Sequence, residues 1–217
     1  MLPYASRTGT RRNLAVMRSA GWRILVTPAE PRTEGFPYAL DNGAWSAFQT
    51  GTPWNEEAFV RLCATLGDGA DFVVAPDIVA GGLDSLRLTE AWLPRRASVA
   101  RIRLVAVQDG MSADDVRPLL GPAVGIFVGG STAWKLWTMR AWGMLARERG
   151  AHLHVGRVNT ARRIRLCQDA GADSFDGTSV SRYATTLELL DSTLRQQRMF
   201  RGLPPPPTTP GAPHGHR

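Results

Sequence analysis

The chain has 217 residues, 43% of them hydrophobic and 21% charged, which is enough for one packed core and fits one large domain better than two small ones. No apolar run approaches the roughly 20 residues that a membrane-crossing helix needs, and the opening MLPYASRTGTRR lacks the charged-then-apolar order of a secretory signal, so no membrane association and a cytoplasmic location are expected. Two cysteines, Cys63 and Cys167, speak against a disulfide framework or a cysteine-rich zinc site, whereas a net charge of +7 carried by arginine, with Lys135 the sole lysine, suits a polyanionic partner or a GC-rich genome.

Taken in chain order, short β-branched runs alternate with amphipathic segments. Strands are expected at residues 2–5, 23–27 and 38–40, the third ending in LDNGAW. A helix starts at the capping residue Asn55, with Ala58, Phe59, Leu62, Cys63 and Leu66 as one stripe. The next strand, 72–75, ends in PDIVAGG, and strand 103–107 ends in QDG. SADD at 112–115 opens a helix with a capping box. Strand 125–128 ends in GGS and leads into a Trp-rich helix over 131–149 that stops at Gly150. Strand 151–155 carries His152 and His154 on one face, which is too few ligands to read as a metal site. A helix from Thr160 has Ala161, Ile164 and Cys167 inward and closes at Gly171, and strand 172–175 precedes DGTSVSR. The Pro-rich segment 202–217 has no apolar periodicity and is expected to be a disordered tail, which leaves 1–201 as the folded domain.

Strand-then-helix repetition implies parallel strands with crossover helices. Eight candidate strands favour an α/β fold closed as a (β/α)8 TIM-like barrel over an open doubly wound sheet. The N-terminal part is irregular, because residues 28–37 offer no helix between two strands.

In such a barrel the residues past each strand's C-terminal end form the active face. Here those positions hold Asp41, Asp77, Gln108 with Asp109, Gly129 with Gly130, and Asp176. Each has a plain reading, since Asp-Asn-Gly and Gln-Asp-Gly are good turn sequences. The recurrence of aspartate after several different strands points instead to one shared site. No phosphate-binding glycine loop ending in Gly-Lys-Ser/Thr and no G-x-S-x-G elbow is present, and no metal or cofactor is expected. Several carboxylates without a metal suit glycosyl-bond chemistry, with one attacking or stabilising the sugar and another handling protons.

The ordered motifs LDNGAW, VVAPDIV, VAVQDG, GIFVGGS, HVGRVNT and ADSFDGTSVSR, spanning residues 38–182, resemble the tRNA-guanine transglycosylases. They are similar above all to the short phage and bacterial relatives that insert 7-deazaguanine bases into DNA. The resemblance implies a pentosyltransferase that exchanges guanine in DNA, or in tRNA, for a base such as preQ0 through an aspartyl-sugar intermediate. It implies Asp176 as nucleophile and Asp41 as proton carrier. Asp77, Gln108, Gly129 and Gly130 would bind the base, and Arg182 a phosphate or carboxylate. The Cys-rich zinc site of the tRNA enzymes is missing from this chain. An N-glycosidase or hydrolase of nucleosides or modified bases, and a non-catalytic nucleic-acid-binding subunit that partners an active chain, are the alternatives; a partner protein or a homodimer is a candidate assembly.

Overall fold

The computed structural model describes residues 1–6, 9–96, 100–182 and 184–200. The proposed tail, 202–217, lies outside them.

Eight strands, β1 Leu2–Ala5, β2 Arg23–Val26, β3 Tyr38–Leu40, β4 Val73–Val74, β5 Arg103–Val107, β6 Val124–Val128, β7 Leu153–Val155 and β8 Ser174–Gly177, pair in sequence order into a closed parallel barrel. Closure is made by β1 and β8, with Leu2 opposite Ser174 and Ala5 opposite Gly177. The (β/α)8 expectation holds, and so does the irregular start, since no helix separates β2 from β3.

Helix α1, Arg11–Ser19, follows β1; α2, Ala44–Thr50, and α3, Glu56–Leu66, both follow β3; and α4, Leu83–Trp92, follows β4. Next come α5, Ala113–Val116, then α6, Thr132–Arg149, and α7, Ala161–Ala170, and the chain ends in α8, Ser179–Arg182, and α9, Ala184–Phe200. The starts read from sequence are real caps: the side chains of Asn55, Ser112, Ser131 and Thr160 accept hydrogen bonds from Ala58, Asp115, Trp134 and Arg163 backbone N–H groups. Gly150 and Gly171 close α6 and α7 in the left-handed conformation that Cβ-bearing residues avoid.

Alternation along the strands splits the core in two. Leu153, Val155, Val105, Val107 and Phe175 point out into the layer beneath the helices. Tyr4, Leu25, Phe72, Val74, Leu104 and Ala106 fill the barrel interior. Both faces of each strand are therefore buried, as parallel barrels require. Cys63 and Cys167 are buried and not joined in a disulfide, and burial raises the Cys167 thiol to about 12. Among the described residues no helix is long and apolar enough to cross a membrane.

Two strand ends differ from the sequence reading in a way that matters. β7 starts at Leu153, so His152 stands just before it, and β8 runs through Gly177. Asp176 is thus inside the last strand, opposite Tyr4 of β1, because pairing with β1 carries the sheet two residues beyond the apolar run.

Candidate active site

Three carboxylates meet at the C-terminal mouth of the barrel. Asp41 follows β3: its backbone N–H donates to the Val26 carbonyl at 2.8 Å and its Oδ1 accepts from Gly43 N–H at 2.7 Å. Gly43, at φ 79°, makes the turn from this carboxylate into α2. Between Asp41 and that turn sits the buried Asn42, whose Nδ2 donates to the Ala75 carbonyl at 2.6 Å and to Asp77 Oδ1 at 2.8 Å. Asn42 therefore ties the end of β3 to the end of β4 and fixes Asp77 relative to Asp41.

Asp176 is buried against the loop that follows β7. Its Oδ2 lies 3.2 Å from His154 Nε2 and accepts from Arg157 N–H at 3.3 Å, while its carbonyl accepts from Val158 N–H at 2.6 Å. Arg157 holds a left-handed backbone at φ 60°, which costs a non-glycine residue energy and aims its N–H at the carboxylate. Its guanidinium donates to the Gly130 carbonyl and lies 4.3 Å over the Trp45 ring on α2. Lys135, buried on α6, donates to the carbonyl of Gly156 in the same loop; burial, and next the charge of Arg157, lower its ammonium to about 8.

Burial acts on Asp41 and Asp77 alike. Burial is the chief force that raises Asp41 to about 7; the Gly43 N–H opposes it, and the neighbouring charges of Asp176 and Asp77 add to it. Burial also raises Asp77, against the hydrogen bond from Asn42. A carboxyl group raised toward neutrality thus lies within electrostatic reach of two other carboxylates. Among the described residues no three His, Cys, Asp or Glu side chains are grouped as metal ligands.

The other expected site residues have the following surroundings. Gln108 is buried, with its Nε2 donating to the Ile78 carbonyl at 2.9 Å. Gly129 N–H donates to the Val107 carbonyl at 2.9 Å, and the Gly130 carbonyl receives Arg157. Asp109 caps α6, accepting from Ser131 N–H at 2.6 Å and from its hydroxyl at 2.7 Å. It is a turn residue. Arg182 ends α8, and its side chain lies outside the described set. Sequence reading missed Asn42, Arg157 and above all His154, whose contact with Asp176 follows from strand alternation once β7 is known to neighbour β8.

No family model and no curated protein matches the chain. A solved structure named "QR15, an Aldolase" overlays with a TM-score of 0.58 at 13% identity, covering 92% of this chain and 96% of that one. An HpcH/HpaI aldolase from Desulfitobacterium hafniense DCB-2 gives a TM-score of 0.47 at 12% identity, over 94% of each chain. The first overlay establishes a shared barrel; the second adds no argument.

These findings overturn the transglycosylase resemblance. The solved structure whose barrel overlays this one carries the name of an aldolase, not of a transglycosylase. Guanine exchange, pentosyl transfer and DNA modification with 7-deazaguanine fall with it, as do the N-glycosidase and transglycosylase-like-subunit alternatives. The physical reason lies in the motifs, most of which are turn sequences that Asp, Asn and Gly favour at strand ends whatever the chemistry of the site. The Gly129 N–H expected on a purine oxygen is spent on the Val107 carbonyl.

Proposed function

We propose that this protein is an acid–base lyase of the aldolase type, which makes or breaks a carbon–carbon bond in a small hydroxy-oxo acid at the barrel mouth. One observation carries the reading: Asp41, raised to about 7, feels the charges of Asp176 and Asp77 beside it at the barrel mouth. Proton transfer is most efficient when the group's pKa lies near the working pH. The overlaid barrel, an aldolase by its name, supplies the reaction class to try first.

In the cleavage direction Asp176 takes the proton of the substrate hydroxyl. The carbon–carbon bond breaks, its electron pair passes into an enolate, and an aldehyde leaves. Protonated Asp41 then gives its proton to the enolate carbon. Asp77, held by Asn42, orients the substrate, and Arg157 at the rim attracts its carboxylate. Arg182, at the end of α8, is a further candidate for that anion.

The test is release of a 2-oxo acid from a panel of 4-hydroxy-2-oxo acids, together with NMR exchange of the methyl protons of pyruvate into deuterated water. We expect Asp41→Asn and Asp176→Asn each to lower kcat by about 10²–10⁴. A panel with neither cleavage nor exchange rejects the proposal.

A further inference from the structure

Within the largely apolar barrel interior, a continuous row of polar side chains runs beside β7 and β8 from the N-terminal end toward the mouth. At the N-terminal end His152 Nδ1 lies 4.0 Å from Asp173 Oδ2, and the Asp173 side chain is 53% exposed, so this end reaches solvent. His152 Nε2 is 2.7 Å from Ser174 Oγ, and the same hydroxyl is 2.8 Å from His154 Nδ1. His154 Nε2 ends the row, 3.2 Å from Asp176 Oδ2. His154 and Ser174 have no exposed surface. The rings of Phe72, Phe127 and Tyr4 surround His154 with centroids at 4.9, 5.1 and 5.8 Å. Polar groups in so dry a sleeve are costly unless their hydrogen bonds are complete, and here they form a single file.

We propose that His152, Ser174 and His154 form a proton wire that links solvent at the N-terminal end of the barrel to Asp176 at its mouth. In function it deepens the lyase reading, and rests on it, because it gives Asp176 a proton path that bypasses a substrate-filled mouth. The starting state has both imidazoles neutral with the hydrogen on Nε2. Solvent delivers a proton to His152 Nδ1 as the His152 Nε2 proton passes to Ser174 Oγ. The Ser174 hydroxyl proton passes to His154 Nδ1, and the His154 Nε2 proton passes to Asp176 Oδ2. One proton arrives for each one that enters, and no charge stays on the row. Release from Asp176 runs the steps backward and restores the starting tautomers.

The charged neighbours agree with this. Burial lowers His152 to about 4, opposed by Asp173 and Asp71 and assisted by His154, so it is a neutral relay at pH 7. Asp71 is occupied by Arg23 at 2.6 Å and by the Tyr4 hydroxyl at 2.8 Å. At the other end Asp176 is faced electrostatically by Asp41, Lys135, Arg157 and Cys167.

The test uses full-length protein labelled with 15N-histidine and no substrate. Both barrel histidines should show the Nε2–H tautomer. Exchange of the buried His154 Nε2 proton with water should slow at least tenfold in Ser174→Ala and in His152→Gln. A purely structural network would loosen on mutation and exchange faster, and exchange that is unchanged or faster in either folded variant overturns the wire. If Ser174→Ala does not fold, His152→Gln decides alone. Slowed exchange in a barrel that cleaves no oxo acid keeps the wire and rejects the lyase.

Discussion

Asp41 shows at the scale of one residue how a site is held at the expense of stability. Its carboxyl is raised by folding, so between the ordinary aspartate range and about pH 7 the folded state holds a proton that the unfolded state has lost. Stability is full at low pH and falls as pH rises through about 7. Asp41→Asn removes the buried charge and keeps an oxygen for Gly43 N–H. The melting temperature of Asp41→Asn relative to the parent should therefore climb between pH 4 and pH 8, as scanning calorimetry across that range would show. A difference that stays flat with pH would mean that Asp41 is not held protonated. Asp41, Asp77 and Asp176 were legible in the sequence because each stands at a strand end. His154 was not, because its meaning lies in Ser174 and Asp176 on the next strand.

At the scale of elements, capping was readable and helix packing was not. Asn55, Ser112, Ser131 and Thr160 cap by local hydrogen bonds within three residues, which any sequence displays. Gly143 in the middle of α6 carries no such signal, and alone it reads as a weak point in a helix. The fold explains it: a methyl group there would overlap the Ala170 carbonyl at the end of α7. Gly143→Ala should cost about 1–3 kcal/mol through overpacking, despite the better helix propensity of alanine. Urea denaturation measures this, and a stabilised variant would show that α6 and α7 do not approach so closely. β4 makes the opposite point. Its core is only Val73–Val74, two residues shorter than the apolar run, although the Phe72 carbonyl still accepts from Leu40 N–H and the Ala75 N–H donates to the Leu104 carbonyl.

At the scale of the whole molecule, stability depends on closing the ring. β1 pairs with β8 across the full length of the chain and with β2 beside it. Deleting residues 1–5 would leave β2 and β8 as open edges, with unpaired backbone groups and the interior exposed. The shortened chain should lose its single cooperative urea transition and aggregate. A sharp transition retained by circular dichroism would mean that the barrel closes without β1.

The alternation of strand and helix, the caps, and the aspartates at strand ends are properties of residues close together in the chain, and by itself the sequence determined them. They led to an eight-stranded parallel barrel with an active mouth. The partner of each side chain was decided only by tertiary structure. Register against β1 drew Asp176 into β8, and the adjacency of β7 and β8 joined two histidines and a serine into a row. Backbone pairing also removed the Gly129 N–H from any ligand. Strand-end turns recur in every barrel because the backbone demands them, so matching motifs at those places suggested a chemistry that the packed site does not support.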